Sequence, residues 1–311
     1  SATQLLDQDV SVIVGAISEG VSKKVIDQIV GAGVIQMSPG SSSLDFSRYA
    51  DSDLYWRTSP SCAREGAALG QHIADSGAKT LGIVYQTGYC DPGLPEAIAD
   101  TFERAGGEVV ARTEFDAAAT SVSAQVAEVV AEKPQAVAIV TPTLAKLAVP
   151  DLTAAGFTGD SLYFVGLGIA DQSADFAAGS LTGATATLPG LDIATLGDFT
   201  DRLLGVNPAL IDFSYAAEAY DGVILVALAA LAAGDTSGAA IAGKLQEVSG
   251  GSGEGEKATS FEDAAGIILS GDVVDYDGPS GSIDFDENGD PASAVIGLYA
   301  YGADNAFLRI N

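Results

Sequence analysis

The chain has 311 residues, above the usual single-domain size and enough for two domains that each bury a core of their own. Lys and Arg number 14 against 42 Asp and Glu, a net charge of −28; that field repels phosphate backbones and anionic lipid, which excludes nucleic acid as a main partner. With 47% hydrophobic and 18% charged residues, the chain can close a core and lacks the polar composition of disorder.

Short β-branched apolar runs alternate with longer amphipathic segments, which marks repeated β-α units and a parallel sheet, so the fold class is α/β. The opening Ser1-Ala2-Thr3-Gln4-Leu5-Leu6-Asp7 has neither a basic nor an apolar segment, so a targeting segment is read as removed or never present. Val10 to Val14 reads as a strand, Val21 to Ala32 as a helix and Val34 to Met37 as the next strand, closed by Ser38-Pro39-Gly40-Ser41-Ser42. After a break at Arg57-Thr58-Ser59-Pro60 the pattern restarts. Helices are expected over Cys62 to Ser76, Leu94 to Ala105, Val122 to Glu132 and Leu144 to Ala155. The strands between and after them are Thr80 to Tyr85, Glu108 to Glu114, Ala136 to Val140 and Ser161 to Phe164. Gly77 and Gly106 stand where a helix C-terminus favours glycine.

Beyond Leu188-Pro189-Gly190 the pattern predicts helices over Asp198 to Leu204, Tyr215 to Ala233 and Gly238 to Val248, then a solvated loop at Ser249 to Glu256. The best membrane candidate, Gly222 to Ala233, falls short of the roughly 18 consecutive apolar residues of a span and reads as a buried helix. From Asp275 onward, alternating apolar and polar residues around turn dipeptides predict strands and a hairpin. No repeat of solenoid length is visible.

Catalytic and cofactor signatures are weak. His72 is the only histidine; it lies mid-helix without an acidic partner at helical spacing and reads as a surface or interface residue, not a base. Gly31-Ala-Gly-Val-Ile-Gln and Gly251-Ser-Gly-Glu-Gly lie outside a strand-to-helix turn, and no phosphate-binding P-loop is present, so no nucleotide cofactor is expected. Asp284, Asp286, Asn288 and Gly289 imitate the first half of a calcium loop, but Val295 occupies the place of its glutamate, so the segment reads as a hairpin turn. One histidine and two separated cysteines do not make a zinc site. Cys62 opens a helix and Cys90 follows a strand, which places both at the carboxyl edge of a sheet; they form one bridge or remain two thiols.

Ligands of open α/β sheets bind outside the carboxyl ends of the strands. Ile17-Ser18-Glu19-Gly20 follows the first strand and Ser38 to Ser43 the second, offering hydroxyls and backbone N–H groups suited to a carboxylate, although serines there also cap helices. Gln86-Thr87-Gly88-Tyr89-Cys90 and Thr141-Pro142-Thr143 take the corresponding edge of the second β-α series, with Tyr89 an aromatic wall.

An ordered set of segments then resembles a known family. Val12-Ile-Val-Gly15-Ala-Ile-Ser18-Glu-Gly20, Gly33-Val-Ile-Gln-Met-Ser38-Pro39, Tyr55-Trp-Arg57-Thr58-Ser-Pro, Leu81-Gly-Ile-Val-Tyr, Asp212-Phe-Ser-Tyr-Ala-Ala-Glu-Ala-Tyr220-Asp221 and Asp275-Tyr-Asp-Gly-Pro-Ser-Gly281 with Phe285 to Asp290 resemble the type I solute-binding proteins of ABC transporters, the branched-chain amino-acid-binding family. The resemblance implies two doubly wound α/β/α lobes joined by three crossovers and closing over a small solute by a hinge. Carried over, lobe one is 1–57 with 187–296, and lobe two is 59–185 with 297–311. It also implies a ligand site formed by Ser18, Glu19, Gly40, Ser41 and Ser42 from lobe one and Tyr89, Thr141 and Gly168 from lobe two, no catalysis and no cofactor. The implied protein is a periplasmic or extracellular, lipid-anchored or secreted monomer that hands its solute to a membrane permease of an ABC importer. A ligand-sensing receptor on the same fold is the alternative.

Three departures alter what the resemblance implies. The family's opening β-α-β unit is missing, so the sequence is expected to be an excerpt of a longer chain. Glu19 replaces a hydroxyl, and its charge opposes a ligand carboxylate unless it is turned away or neutralised. The acid that takes an amino group in the family aligns with Leu167-Gly168, which carry no charge, with Asp171 nearby.

Overall fold

The computed structural model describes residues 2–90, 93–141, 144–165, 176–191 and 196–311. In chain order the elements are α1 Ala2–Leu6, β1 Val12–Val14, α2 Glu19–Val30, β2 Ile35–Ser38, β3 Tyr55–Arg57, α3 Cys62–Asp75, β4 Thr80–Gln86 and α4 Gly93–Arg104. They continue with β5 Glu108–Phe115, α5 Ser123–Ala131, β6 Ala136–Val140, α6 Ala145–Ala154, β7 Leu162–Val165 and β8 Thr185–Pro189. The rest are α7 Gly197–Val206, α8 Ala216–Ala233, α9 Gly238–Val248, β9 Glu256–Ala258, α10 Phe261–Ser270, β10 Val274–Tyr276, β11 Ile296–Tyr301 and β12 Phe307–Arg309. The chain divides into two compact units: Ser1–Ser61 with Gly190–Val295, and Cys62–Pro189 with Ile296–Asn311.

In the first unit β1, β2 and β3 form a parallel sheet in that order. Successive side chains of a strand point to opposite faces. Ile35 and Met37 therefore join the cluster of Leu225, Leu228, Ile241 and Leu245 from α8 and α9, while Tyr55, in register with Gln36, packs with Ile26 of α2 and stacks on Phe46. The sheet is thus covered on both faces, as parallel sheets require. β9 and β10 add a separate parallel pair. Helix α8 has the length, and at 1.7 the mean hydropathy, to cross a membrane. Glu218 and Asp221 interrupt it, and Ala217, Asp221, Gly222, Leu225, Leu228 and Ala229 are buried within the unit, so it serves as a core helix here.

The second unit carries a seven-stranded sheet of order β12-β11-β8-β7-β6-β4-β5. From β5 to β8 neighbouring strands run parallel, and β11 then pairs antiparallel with β8 and β12. The all-buried run Ala-Val-Ala-Ile-Val of β6 is the continuous apolar strand expected at the centre of a covered parallel sheet.

The structure departs from the sequence expectations in specific places. β3 occupies residues read as leading into a break, because the charge that argued against a strand, Arg57, is neutralised within the unit (below). α10 was not expected; Ser260 caps it by accepting from the Asp263 N–H at 3.1 Å, and Gly271 closes it with φ +91°. The loop expected through Glu256 ends one residue early, where β9 begins.

At −28, 42 acids face 14 cations, so at least 28 carboxylates have no cation to pair with. The ion pairs Lys23–Asp45, Lys244–Glu247 and Lys257 with Asp275 and Asp277 are solvent-accessible and each contributes little. Self-repulsion therefore opposes compactness. Raising NaCl from about 0.05 M to about 1 M, which shortens the screening length several-fold, is expected to raise the melting temperature by several degrees in a scanning calorimeter.

Candidate functional site

Parallel pairing puts the carboxyl ends of β1, β2 and β3 on one edge of the first unit, so the loops after Val14, Ser38 and Arg57 lie side by side. The loop after β2 folds around buried hydroxyls. Ser38 Oγ donates to the Ala16 carbonyl at 2.6 Å and accepts from the N–H of Ser41 at 3.0 Å and of Gly40 at 3.4 Å. Ser41 Oγ lies 2.9 Å from Ser22 Oγ of α2 and 3.3 Å from the Ala16 oxygen; Ser22, Ser38 and Ser41 are all 0% exposed. Gly40 is required here: a Cβ would lie 2.7 Å from Ile17 Cγ2 and 3.2 Å from its Cα.

Arg57, fully buried, fixes this loop from below. Its guanidinium pairs bidentately with Asp290, Nε to Oδ1 at 2.6 Å and Nη2 to Oδ2 at 2.7 Å. Nη1 donates to the carbonyls of Ser41 at 3.1 Å and Ser43 at 2.8 Å, and Nη2 also reaches Ser47 Oγ at 2.8 Å. A planar fork that serves a carboxylate and two carbonyls at once is a task for arginine, not lysine. Sequence reasoning missed this clamp. A charged residue in the apolar strand Tyr55-Trp56-Arg57 was its only signal.

The site residues expected from the sequence fall as follows. Ser18 precedes α2 without capping it through its side chain and is exposed, so the plain capping role does not apply to it. Glu19 is not turned away from the edge, because Ser42 Oγ donates to Glu19 Oε1 at 3.1 Å. The N–H groups of Gly40 and Ser41 are not open to an anion, as expected; Ser38 takes them. The Ser41 hydroxyl likewise faces inward.

In the second unit β4 and β6 are neighbours, and the residues after them meet. Thr141 Oγ1 donates to Gln86 Oε1 at 2.9 Å and accepts from the Leu144 N–H at 3.2 Å. Its hydroxyl is therefore used in joining the edge and opening α6. Tyr89 is half-buried and its N–H donates to the Gln86 carbonyl at 3.4 Å. Cys62 and Cys90 are buried and unbridged, which corrects the bridge weighed from the sequence; Cys90 instead turns the chain with φ +47° and accepts from the Leu94 N–H at the start of α4. His72 Nε2 meets Thr185 Oγ1 at 3.1 Å, a packed interface histidine whose pKa burial lowers. Gly168, Leu167, Asp171, Pro142 and Thr143 lie outside the described residues.

Two acids of α8 complete the first unit's polar groups. Asp221 is 0% exposed and accepts from Tyr276 Oη at 3.0 Å, Ser280 N at 2.7 Å and Ser280 Oγ at 2.5 Å; burial outweighs these bonds and pushes its carboxyl up to about 6. Glu218, in the first turn of α8, is half-buried. Burial, and to a smaller degree the charge of Asp221, push it up to about 7. Its backbone carbonyl accepts from Thr58 Oγ1 at 2.8 Å. An acid inside the apolar run Ala216 to Ala233 was a signal that sequence reading passed over.

Replacing Arg57 by Met strands a buried Asp290 and is expected to cost about 3–5 kcal/mol in urea unfolding; adding Asp290→Asn to it should recover part of that loss. Because the folded pKa values of Asp221 and Glu218 lie above their unfolded values, the stability they contribute is complete below pH ~4 and lost as pH rises through about 6 and about 7. Urea midpoints measured from pH 5 to pH 8 should show that fall, and Glu218→Gln should flatten its upper part.

Residues 1–292 match the family model described as periplasmic binding protein. The chain is 27% identical over 307 residues to the chemotactic signal transduction system substrate-binding protein BasB of Halobacterium salinarum, covering 95% of this chain and 71% of that one. Among solved structures, the leucine-binding protein LivK of Thermotoga maritima superposes with a TM-score of 0.72 at 19% identity, over 100% of this chain and 82% of that one. A solute-binding protein of an ABC transporter from R. palustris, in complex with benzoate, gives 0.67 at 17% identity, over 100% and 79%. The family and these neighbours are solute-binding and receptor proteins, not enzymes, and they are typically periplasmic or extracellular. The chain belongs to the periplasmic binding protein family and has its type I α/β fold.

Proposed function

We propose that this chain is the extracellular or periplasmic solute-binding component of an ABC importer, anchored by lipid or secreted. It captures one small polar solute as a monomer and delivers it to a membrane permease. Lobe one, 1–57 with 187–296, and lobe two, 59–185 with 297–311, would close on the solute, which stabilises the closed state by the contacts made only there. Ser18, Glu19, Gly40, Ser41 and Ser42 from lobe one and Tyr89, Thr141 and Gly168 from lobe two are the residues assigned to that contact. The observation that carries the reading is the Arg57 clamp, because a loop pinned through two carbonyls by a buried ion pair is a preorganised edge, and preorganisation lowers the cost of binding.

With Ser41 turned inward, Ser42 and Ser18 supply the hydroxyls of lobe one. A second reading, a sensor that presents its bound solute to a signalling partner, is favoured by the chemotactic signal transduction system in which the Halobacterium salinarum relative is a substrate-binding protein.

The test is a thermal-shift screen of the full-length chain against amino acids, small carboxylates, amides and polyamines, since a ligand of the native state alone raises the melting temperature. At least one class is expected to give a saturable shift, and Ser42→Leu should abolish it while leaving the unliganded melting temperature nearly unchanged. No shift with any class would count against solute capture; an unchanged shift in Ser42→Leu would remove the site from this edge.

A further inference from the structure

We propose that the carboxylate of Glu218 is the binding group for a cationic nitrogen of the solute, an ammonium or an amine. The inference rests on the solute-capture reading and names the class of solute this edge selects.

Position comes first. Glu218 sits in the first turn of α8, and that turn is held to the carboxyl edge of the parallel sheet by Thr58 Oγ1, which donates to the Glu218 carbonyl at 2.8 Å. The next residue, Ser59, reaches the Ser41 carbonyl with its Oγ at 3.4 Å. Two adjacent residues after β3 therefore tie Glu218 and the serine loop to one edge.

Second, the charge has no partner. All 14 Lys and Arg of the chain lie among the described residues. Their ion pairs there go to Asp45, Asp290, Glu247, Asp275 and Asp277, and none reaches Glu218. Among the described residues no side-chain donor hydrogen-bonds its carboxylate either; the donor near it is its own backbone N–H. Burying a carboxylate without a cation costs free energy, and here that cost appears as a pKa displaced to about 7. Asp221 differs, since its three hydrogen bonds account for it as a structural group.

Third, the carboxylate is left uncovered on one side. Gly190, at φ +99°, has no side chain where a Cβ would stand 2.9 Å from Glu218 Oε1. A glutamate in a first helical turn also serves the helix dipole, but that role needs neither burial nor a cleared flank.

The pH behaviour follows from the groups facing Glu218. Asp221, one turn along α8, is the other acid that acts on it; Thr58 and Gly190 carry no charge, and Tyr215 precedes the helix. An amine that binds ionised Glu218 must displace its proton below about pH 7, so affinity rises about tenfold between pH 6 and pH 8.

The experiment titrates the full-length chain calorimetrically with L-leucine and putrescine, and with 4-methylpentanoate and benzoate as partners lacking the nitrogen. Binding of an amine that weakens about tenfold or more in Glu218→Gln and loses its rise between pH 6 and pH 8, while Glu218→Asp retains part of both and Asp221→Asn keeps the rise, is the expected result. Circular dichroism and the unliganded melting temperature establish that each variant is folded; a Glu218→Gln chain that fails to fold leaves Glu218→Asp and the wild-type pH profile as the deciding readings. An amine bound equally by wild type and Glu218→Gln, or binding of the carboxylates but of neither amine, overturns the assignment and leaves solute capture standing. No binding of any probe counts against solute capture itself and takes the Glu218 assignment with it.

Discussion

The buried pair of Arg57 and Asp290 is the constraint on which the first unit's edge depends. An arginine at 0% exposure is tolerable only if every donor is used, and here the fork is shared between a carboxylate, two carbonyls and a hydroxyl. Such a pair adds little net stability compared with apolar residues of equal volume, since desolvation offsets most of its attraction. What it supplies is geometry. The carbonyls of Ser41 and Ser43 are fixed, so the peptide groups between them face a set direction, and Ser38 and Ser22 then have one arrangement in which all hydroxyls are bonded.

That arrangement divides the serines into two kinds. Those turned inward, Ser22, Ser38 and Ser41, replace a hydrophobic contact with a satisfied polar layer and hold the loop against the end of β1. Ser18 and Ser42 stay near the surface, and Ser42 already shares a proton donor with Glu19. The second unit repeats the logic with different residues: Thr141 and Gln86 satisfy each other where two central strands end. In both units the buried polar layer is what a binding edge rests on, and it is distinct from the groups that would touch a solute.

Period and punctuation made most of the fold legible. β6 matches its expected limits, and α3, β4, α5 and α9 fall within two residues of theirs, because each has a continuous apolar strand or a helical stripe closed by glycine. β3 was hidden by the charge that the tertiary structure neutralises 233 residues later, a separation at which no local pattern operates. α10 was hidden by its position after a Gly/Ser stretch, although Ser260 and Gly271 mark both ends. At the site, the order strand, serine, helix was enough to place Ser18 to Glu19 and Gly40 to Ser42 on one edge. The direction of each hydroxyl was not legible, since it depends on Ser22 and Ala16 more than on neighbours in sequence.

Charge links these levels. In a chain with three acids for every cation, cations are scarce, and Arg57 shows one spent on internal order. Solvated acids need no cation, because water and salt screen them. A carboxylate held half out of water is different: its ionisation is disfavoured until a positive group arrives, and the chain supplies none at Glu218. The pocketed acid and the acidic surface thus have opposite meanings. The surface repels anions as a whole, and the one uncompensated acid beside the serine loop turns that same bias into a preference for a positively charged group. Selection of a cation then costs the fold only the pH-dependent strain of keeping Glu218 where it is.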